Sequence, residues 1–111
     1  MIGHSQGLST WLLQRFTAIY LALFLFYVIL RLLFASPASY QEWRDWIECP
    51  LINIASALFF LALTMHGWVG MRDVIMDYVK PTALRVSVLV LVAFGLLACL
   101  LWSWRVLLLT V

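Results

Sequence analysis

The sequence predicts an all-α integral membrane protein with three transmembrane helices, and three observations carry that expectation. Of its 111 residues 66% are hydrophobic, and the mean hydropathy is +1.04, far from the composition of a soluble domain. The twelve charged side chains gather between and at the edges of three long apolar blocks. Each block reaches the ~20 residues that a helix needs to cross the hydrocarbon of a bilayer. This length holds three spans with short connections, so a self-contained soluble enzyme is not expected. A net charge of +2 supplies no dense basic patch of the kind that binds nucleic acid.

The first span is expected over about 11–34. Only Gln14 and Arg15 near its start and Arg31 near its end interrupt it, and an arginine near a helix end can snorkel to the headgroups. Ser36, Pro37, Ala38 and Ser39 then break the helix. A polar connection over about 35–49 follows, with Glu42, Arg44, Asp45 and Glu48 around Trp43 and Trp46, a mixture suited to the water–lipid boundary where indole rings settle. The second span, about 50–71, opens at Pro50, since proline is tolerated in a first helical turn. A second polar connection over about 72–82 holds Arg72, Asp73, Asp77 and Lys80. The third span, about 83–105, carries Arg85 and Arg105 near its ends, with Trp102 and Trp104 read as interfacial anchors. Cys49 and Cys99 show no metal-ligand spacing and read as packing residues. The first block exceeds a signal-peptide core in length, and Pro37 is poorly placed for cleavage.

Three spans put the N-terminus and the second connection on one side. Arg15, Arg72, Lys80 and Arg85 lie there, against Arg31, Arg44 and Arg105 opposite. That excess places the N-terminus in the cytoplasm and the C-terminus outside.

His66 is the one ionisable side chain inside the second span, six residues before Arg72 and so ~9 Å below the charged boundary. An ionisable group at that depth is a functional candidate; the alternative is a histidine that hydrogen-bonds a neighbouring helix. At 100° per residue, Ala55, Phe59, Ala62, His66, Gly70, Asp73 and Asp77 share one stripe. The small neighbours Ala62 and Gly70 admit two readings: room for a flat haem on a neutral imidazole, or close packing of a second helix. His4 stands outside the spans, so a bis-histidine haem would take its second ligand from another chain. Arg15 could pair with a haem propionate or with lipid phosphate. At the end of the second span, the Tyr78 phenol could donate to a carbonyl oxygen with Asp77 orienting it or relaying protons; the alternative is an aromatic belt residue beside a solvated carboxylate.

The stretches His66-Gly67-Trp68-Val69-Gly70-Met71, Asp77-Tyr78-Val79-Lys80-Pro81, Ala83-Leu84-Arg85 and Arg15-Phe16-Thr17-Ala18-Ile19 together resemble the hydrophobic membrane-anchor subunit of bacterial succinate dehydrogenase, of the smaller, D type. The resemblance implies half of a two-subunit haem-binding bundle in the bacterial inner membrane, with haem b shared with a second three-helix anchor subunit of the cytochrome b type. It implies a flavoprotein and an iron-sulfur subunit as partners and ubiquinone as the electron acceptor. Residue by residue, it implies His66 as axial haem ligand, Arg15 near the propionates, Tyr78 as hydrogen-bond donor to the quinone and Asp77 as its acidic neighbour. Arg72-Asp73 departs from the pattern, placing two charges directly after Met71. A fumarate reductase anchor using menaquinone shares the architecture. A structural anchor without redox role, or a small transporter or channel subunit, are readings of another class; the latter is disfavoured because the first and third spans lack polar groups at midmembrane.

Overall fold

The computed structural model describes the backbone of residues 2–110 and the side chains of residues 7–109; His4 is therefore outside the described side chains. Four helices follow one another: α1 (Ile2–Phe34), α2 (Tyr40–Glu48), α3 (Pro50–Tyr78) and α4 (Thr82–Thr110). No strand occurs among the described residues, and α1, α3 and α4 are each long and apolar enough to cross a membrane.

The helices outrun the apolar blocks because charge alone does not end a helix. Arg72, Asp73 and Asp77 all lie on α3, where the sequence places them in a connection. Nothing before Pro81 breaks the ladder. Proline disfavours helical backbone in the residue ahead of it, so the turn shrinks to residues 79–81. Val79 takes extended dihedrals while its N–H still reaches the Ile75 carbonyl at 2.9 Å. The Arg85 side chain closes the elbow by donating from Nε to the Val79 carbonyl at 2.9 Å.

The first connection contains a helix as well. Ser39 caps α2 by accepting from the Glu42 N–H at 3.2 Å, and the Glu42 carboxylate reaches back to the Ala38 N–H, close to a capping box. On α2, Trp46 turns inward while Gln41, Glu42 and Asp45 face out. Arg44 and Glu48 pair at 2.6 Å; this hydrogen bond first, and then the carboxylate charge, raise the guanidinium above its ordinary pKa. Half-exposed and one turn apart, the pair contributes little to stability.

Helix α3 is the centre of a three-helix layer. Helices α1 and α4 each pack against it, and their own backbones do not approach within 8 Å of each other. The two contacts use opposite sides of α3: Ala55, Phe59 and His66 meet α1, while Asn53 and Ala57 meet α4. The molecule measures 51 × 25 × 21 Å. Its buried apolar side chains are few: Leu21, Trp46, Val69, Ile75, Leu100 and Leu107. Most of the large apolar side chains are exposed instead, which costs nothing when lipid or another apolar helix covers them.

Polar contacts therefore do much of the joining. The Trp104 indole donates to the Ala57 carbonyl at 3.1 Å, so this residue ties α4 to α3. Trp102 remains exposed, beneath the Arg105 guanidinium at 5.8 Å. Asn53 Nδ2 donates to the Ile47 and Leu107 carbonyls at 3.2 and 3.4 Å. The Arg31 guanidinium lies over the Trp46 ring at 5.3 Å. Cys49 and Cys99 are both exposed, so neither packs a core, contrary to the expectation from sequence.

Candidate functional site

The seam between α1 and α3 holds His66. Along it Gln14 lies against Gly70, Thr17 against His66, and Phe24 against Phe59 with ring centroids 4.8 Å apart. The antiparallel register follows from the short, capped connection through α2. The small-residue stripe on α3 thus serves helix packing over at least part of its length: a Cβ on Gly70 would sit 3.9 Å from Gln14 Nε2.

The half-buried imidazole meets Thr17, which is only 8% exposed. Thr17 Oγ1 lies 3.1 Å from His66 Nδ1, and it lies 2.7 Å from the Leu13 carbonyl and 3.2 Å from that of Gln14. A hydroxyl has one proton. An oxygen–oxygen approach of 2.7 Å to a carbonyl requires that proton, so Oγ1 gives it to the α1 backbone and offers a lone pair to the ring. His66 Nδ1 is then the donor, and Nε2 of the neutral ring carries the lone pair. Among the described residues Nε2 has no hydrogen-bond partner. Sequence reasoning assigned Thr17 no role, and it read the first span as lacking midmembrane polar groups. The Thr17 hydroxyl and that of Tyr20, which donates to the Ala55 carbonyl at 2.5 Å, correct that. A hydroxyl in an apolar block was the available signal; its partner, 49 residues away, was not.

Beside the pair, an apolar groove of about 270 Å³ is lined by Phe16, Thr17, Tyr20, Leu58, Leu61, Ala62 and Met65. Toward the α3 C-terminus the seam opens into a polar cleft between Thr10, Trp11, Gln14, Arg72 and Asp73. Gln14 Oε1 is buried there without a hydrogen-bond partner, and Arg72 is half-buried with Asp73 at 3.4 Å. Arg15 is exposed and stacks over Trp11 at 5.3 Å, roughly 160° around α1 from Thr17 at 100° per residue. Asp77 and Tyr78 end α3, both exposed, the phenol at 79%. They stand about 17–18 Å along the axis from His66, so the chain places these two groups at one end of α3 and does not bring them to the imidazole.

A second apolar groove, of about 710 Å³, opens between α1, α3 and α4 under α2, floored by Ser56, Phe59 and Phe60. It lies toward the opposite end of the layer from Tyr78. No group of three or more His, Cys, Asp or Glu that could hold a metal ion occurs among the described residues, whose one imidazole is that of His66.

Comparison with known proteins bears on this arrangement. The family model for the succinate dehydrogenase/fumarate reductase transmembrane subunit matches residues 1–102. The chain is also similar to the succinate dehydrogenase hydrophobic membrane anchor subunit of Coxiella burnetii, 29% identical over 98 residues, covering 88% of this chain and 85% of the relative. With three apolar helices and a family match over nearly its whole length, the chain is a multi-pass membrane protein that belongs to the succinate dehydrogenase/fumarate reductase transmembrane subunit family.

Proposed function

We propose that the chain is the membrane-anchor and cytochrome b subunit of a succinate:ubiquinone oxidoreductase, holding one haem b jointly with a second three-helix anchor subunit and contributing to the ubiquinone-reduction site. The observation that supports it most is His66: an imidazole within a candidate membrane span, held by Thr17 at Nδ1 so that the neutral tautomer carries its lone pair on Nε2. That is the form in which a histidine ligates haem iron. The residues present fit the group, since Thr17 holds the ring by Nδ1 and leaves Nε2, the ligating nitrogen, without a protein partner among the described residues. Bound there, a haem would supply one-electron chemistry. A second imidazole would come from the partner anchor. Arg72, at the polar cleft of the seam, would face the propionates; Arg15, the basic residue the resemblance implies for them, turns away from the Thr17 side of α1 and would meet them only by leaving its place over Trp11.

At the end of α3, the Tyr78 phenol donates a hydrogen bond to a carbonyl oxygen of ubiquinone. It stabilises the negative charge that grows there as the quinone takes two electrons and two protons. Asp77 orients that end of the site and passes protons from the cytoplasmic side. The exposure of both side chains suits a pocket completed by another subunit. The iron-sulfur subunit, carrying electrons from the flavoprotein, docks there. Charge asymmetry supports a bacterial inner-membrane orientation with the N-terminus in the cytoplasm and the C-terminus in the periplasm. Alone the chain has no activity, since succinate oxidation belongs to the soluble subunits.

A reduced-minus-oxidised spectrum of the purified complex tests the haem reading: a b-type band in the wild type that is lost in His66→Ala. An unaltered band in the variant overturns it. The family description includes fumarate reductase, whose anchor would serve menaquinone with the same geometry; the quinone that co-purifies and its potential distinguish the two.

A further inference from the structure

We propose that Thr17 is a positioning residue that fixes the tautomer of His66 and sets the potential of the bound haem; this rests on His66 being the axial ligand. The contact is a relay of three groups. His66 Nδ1–H donates to Thr17 Oγ1 at 3.1 Å, and the Thr17 hydroxyl donates to the Leu13 carbonyl at 2.7 Å within α1. Each bond polarises the next, so a hydroxyl that gives its proton to a backbone carbonyl is a stronger acceptor for the ring proton. Drawing on the Nδ1 proton puts electron density on the ring and raises the basicity of Nε2, the effect that outer partners exert on ligating histidines. A more basic ligand favours ferric over ferrous iron and lowers the midpoint potential. Burial makes the contact persistent: Thr17 is 8% exposed, and its hydroxyl has both a helical carbonyl and an imidazole to satisfy. The arrangement also joins two helices at the ligand, so the ring orientation is set by α1 although the ligand belongs to α3.

Thr17→Val, Thr17→Ser and His66→Ala are compared in the purified complex by redox titration of the b band and by the ferric electron paramagnetic resonance spectrum. Valine keeps the branched shape and removes both bonds. Its midpoint should rise, a tenfold loss of ferric preference reading as about 59 mV for one electron, with a shifted ferric spectrum. Serine keeps the hydroxyl and should restore the wild-type values. A valine variant with the wild-type midpoint and ferric spectrum overturns the proposal, as does a serine variant that shifts as far as valine. Should valine prevent assembly, Thr17→Ala is read by the same two criteria. The failures are distinguishable: a b band that survives His66→Ala removes the ligand reading itself, whereas a band lost in His66→Ala but unchanged in Thr17→Val leaves the ligand and removes only the relay.

Discussion

The indole N–H of Trp46 donates to the Tyr27 hydroxyl at 3.0 Å, and the Arg31 guanidinium covers the same ring at 5.3 Å. Two residues of α1 thereby hold the interfacial helix α2 against the first span, although the backbones of α1 and α2 stay apart. Tyr27→Phe leaves a buried indole N–H without its acceptor, a loss of about 1 kcal/mol. Arg31→Ala removes a cation–π contact of roughly 0.5–2 kcal/mol. Thermal denaturation of the purified complex should show both variants lowered. Because the groups share one indole, the double variant should depart from the sum of the singles; strict additivity would show that they act separately.

Tyr78→Phe removes one hydroxyl from a side chain that is 79% exposed and tied into no helix contact, so the fold is expected to be indifferent to it. Quinone reduction by the complex should fall by about 10²-fold or more, the range seen when a single charge-stabilising donor is lost. Succinate oxidation with an artificial acceptor that bypasses the membrane site should persist. Equal loss of both activities would mean that the residue supports assembly rather than the quinone.

Gly70 distinguishes packing from ligand space. A methyl added there would meet Gln14 Nε2 at 3.9 Å, ordinary van der Waals contact, so Gly70→Ala should assemble and keep its haem. It also exchanges a helical glycine for the better helix former, worth up to ~1 kcal/mol. Gly70→Leu reaches further: its branched end must displace the Gln14 side chain, one turn from the Thr17–His66 contact. The leucine variant should lose the b band or shift its midpoint, and titration of both variants together checks the contrast. A leucine variant identical to the wild type would show that the seam is looser at this point than the Gln14 contact indicates.

The three-span class was legible in the sequence because it needs only composition and block length, and His66 stood out because so few polar residues surround it. What escaped was pairing between elements. No periodicity within α1 indicates that Thr17 meets a residue 49 positions on, or that Trp104 turns inward to the Ala57 carbonyl while Trp102 remains outside. Helix α2 was within reach, since Ser39 and Glu42 stand at capping-box spacing, but its charges suggested a connection. The same habit shortened the second span: Arg72, Asp73 and Asp77 read as a boundary, whereas backbone hydrogen bonding continues until the residue before a proline interferes.

The two exposed cysteines make the orientation measurable. Cys49 lies between α2 and α3, at the end of the layer that carries Arg31, Arg44 and Arg105, while Cys99 sits in the apolar run of α4. A charged, membrane-impermeant maleimide needs a thiolate in water, so exposure within the hydrocarbon does not suffice. With the N-terminus in the cytoplasm, the reagent should modify Cys49 in intact spheroplasts and leave it untouched in inverted vesicles. Cys99 should react only after detergent. In a Cys49→Ser background, Lys80→Cys at the opposite elbow should show the reverse pattern, reacting in inverted vesicles alone. Two sites with opposite accessibility make the result independent of reagent efficiency. Labelling of Cys49 from inverted vesicles and of Lys80→Cys from spheroplasts would invert the orientation, and would place Asp77 and Tyr78 on the wrong side to meet cytoplasmic subunits.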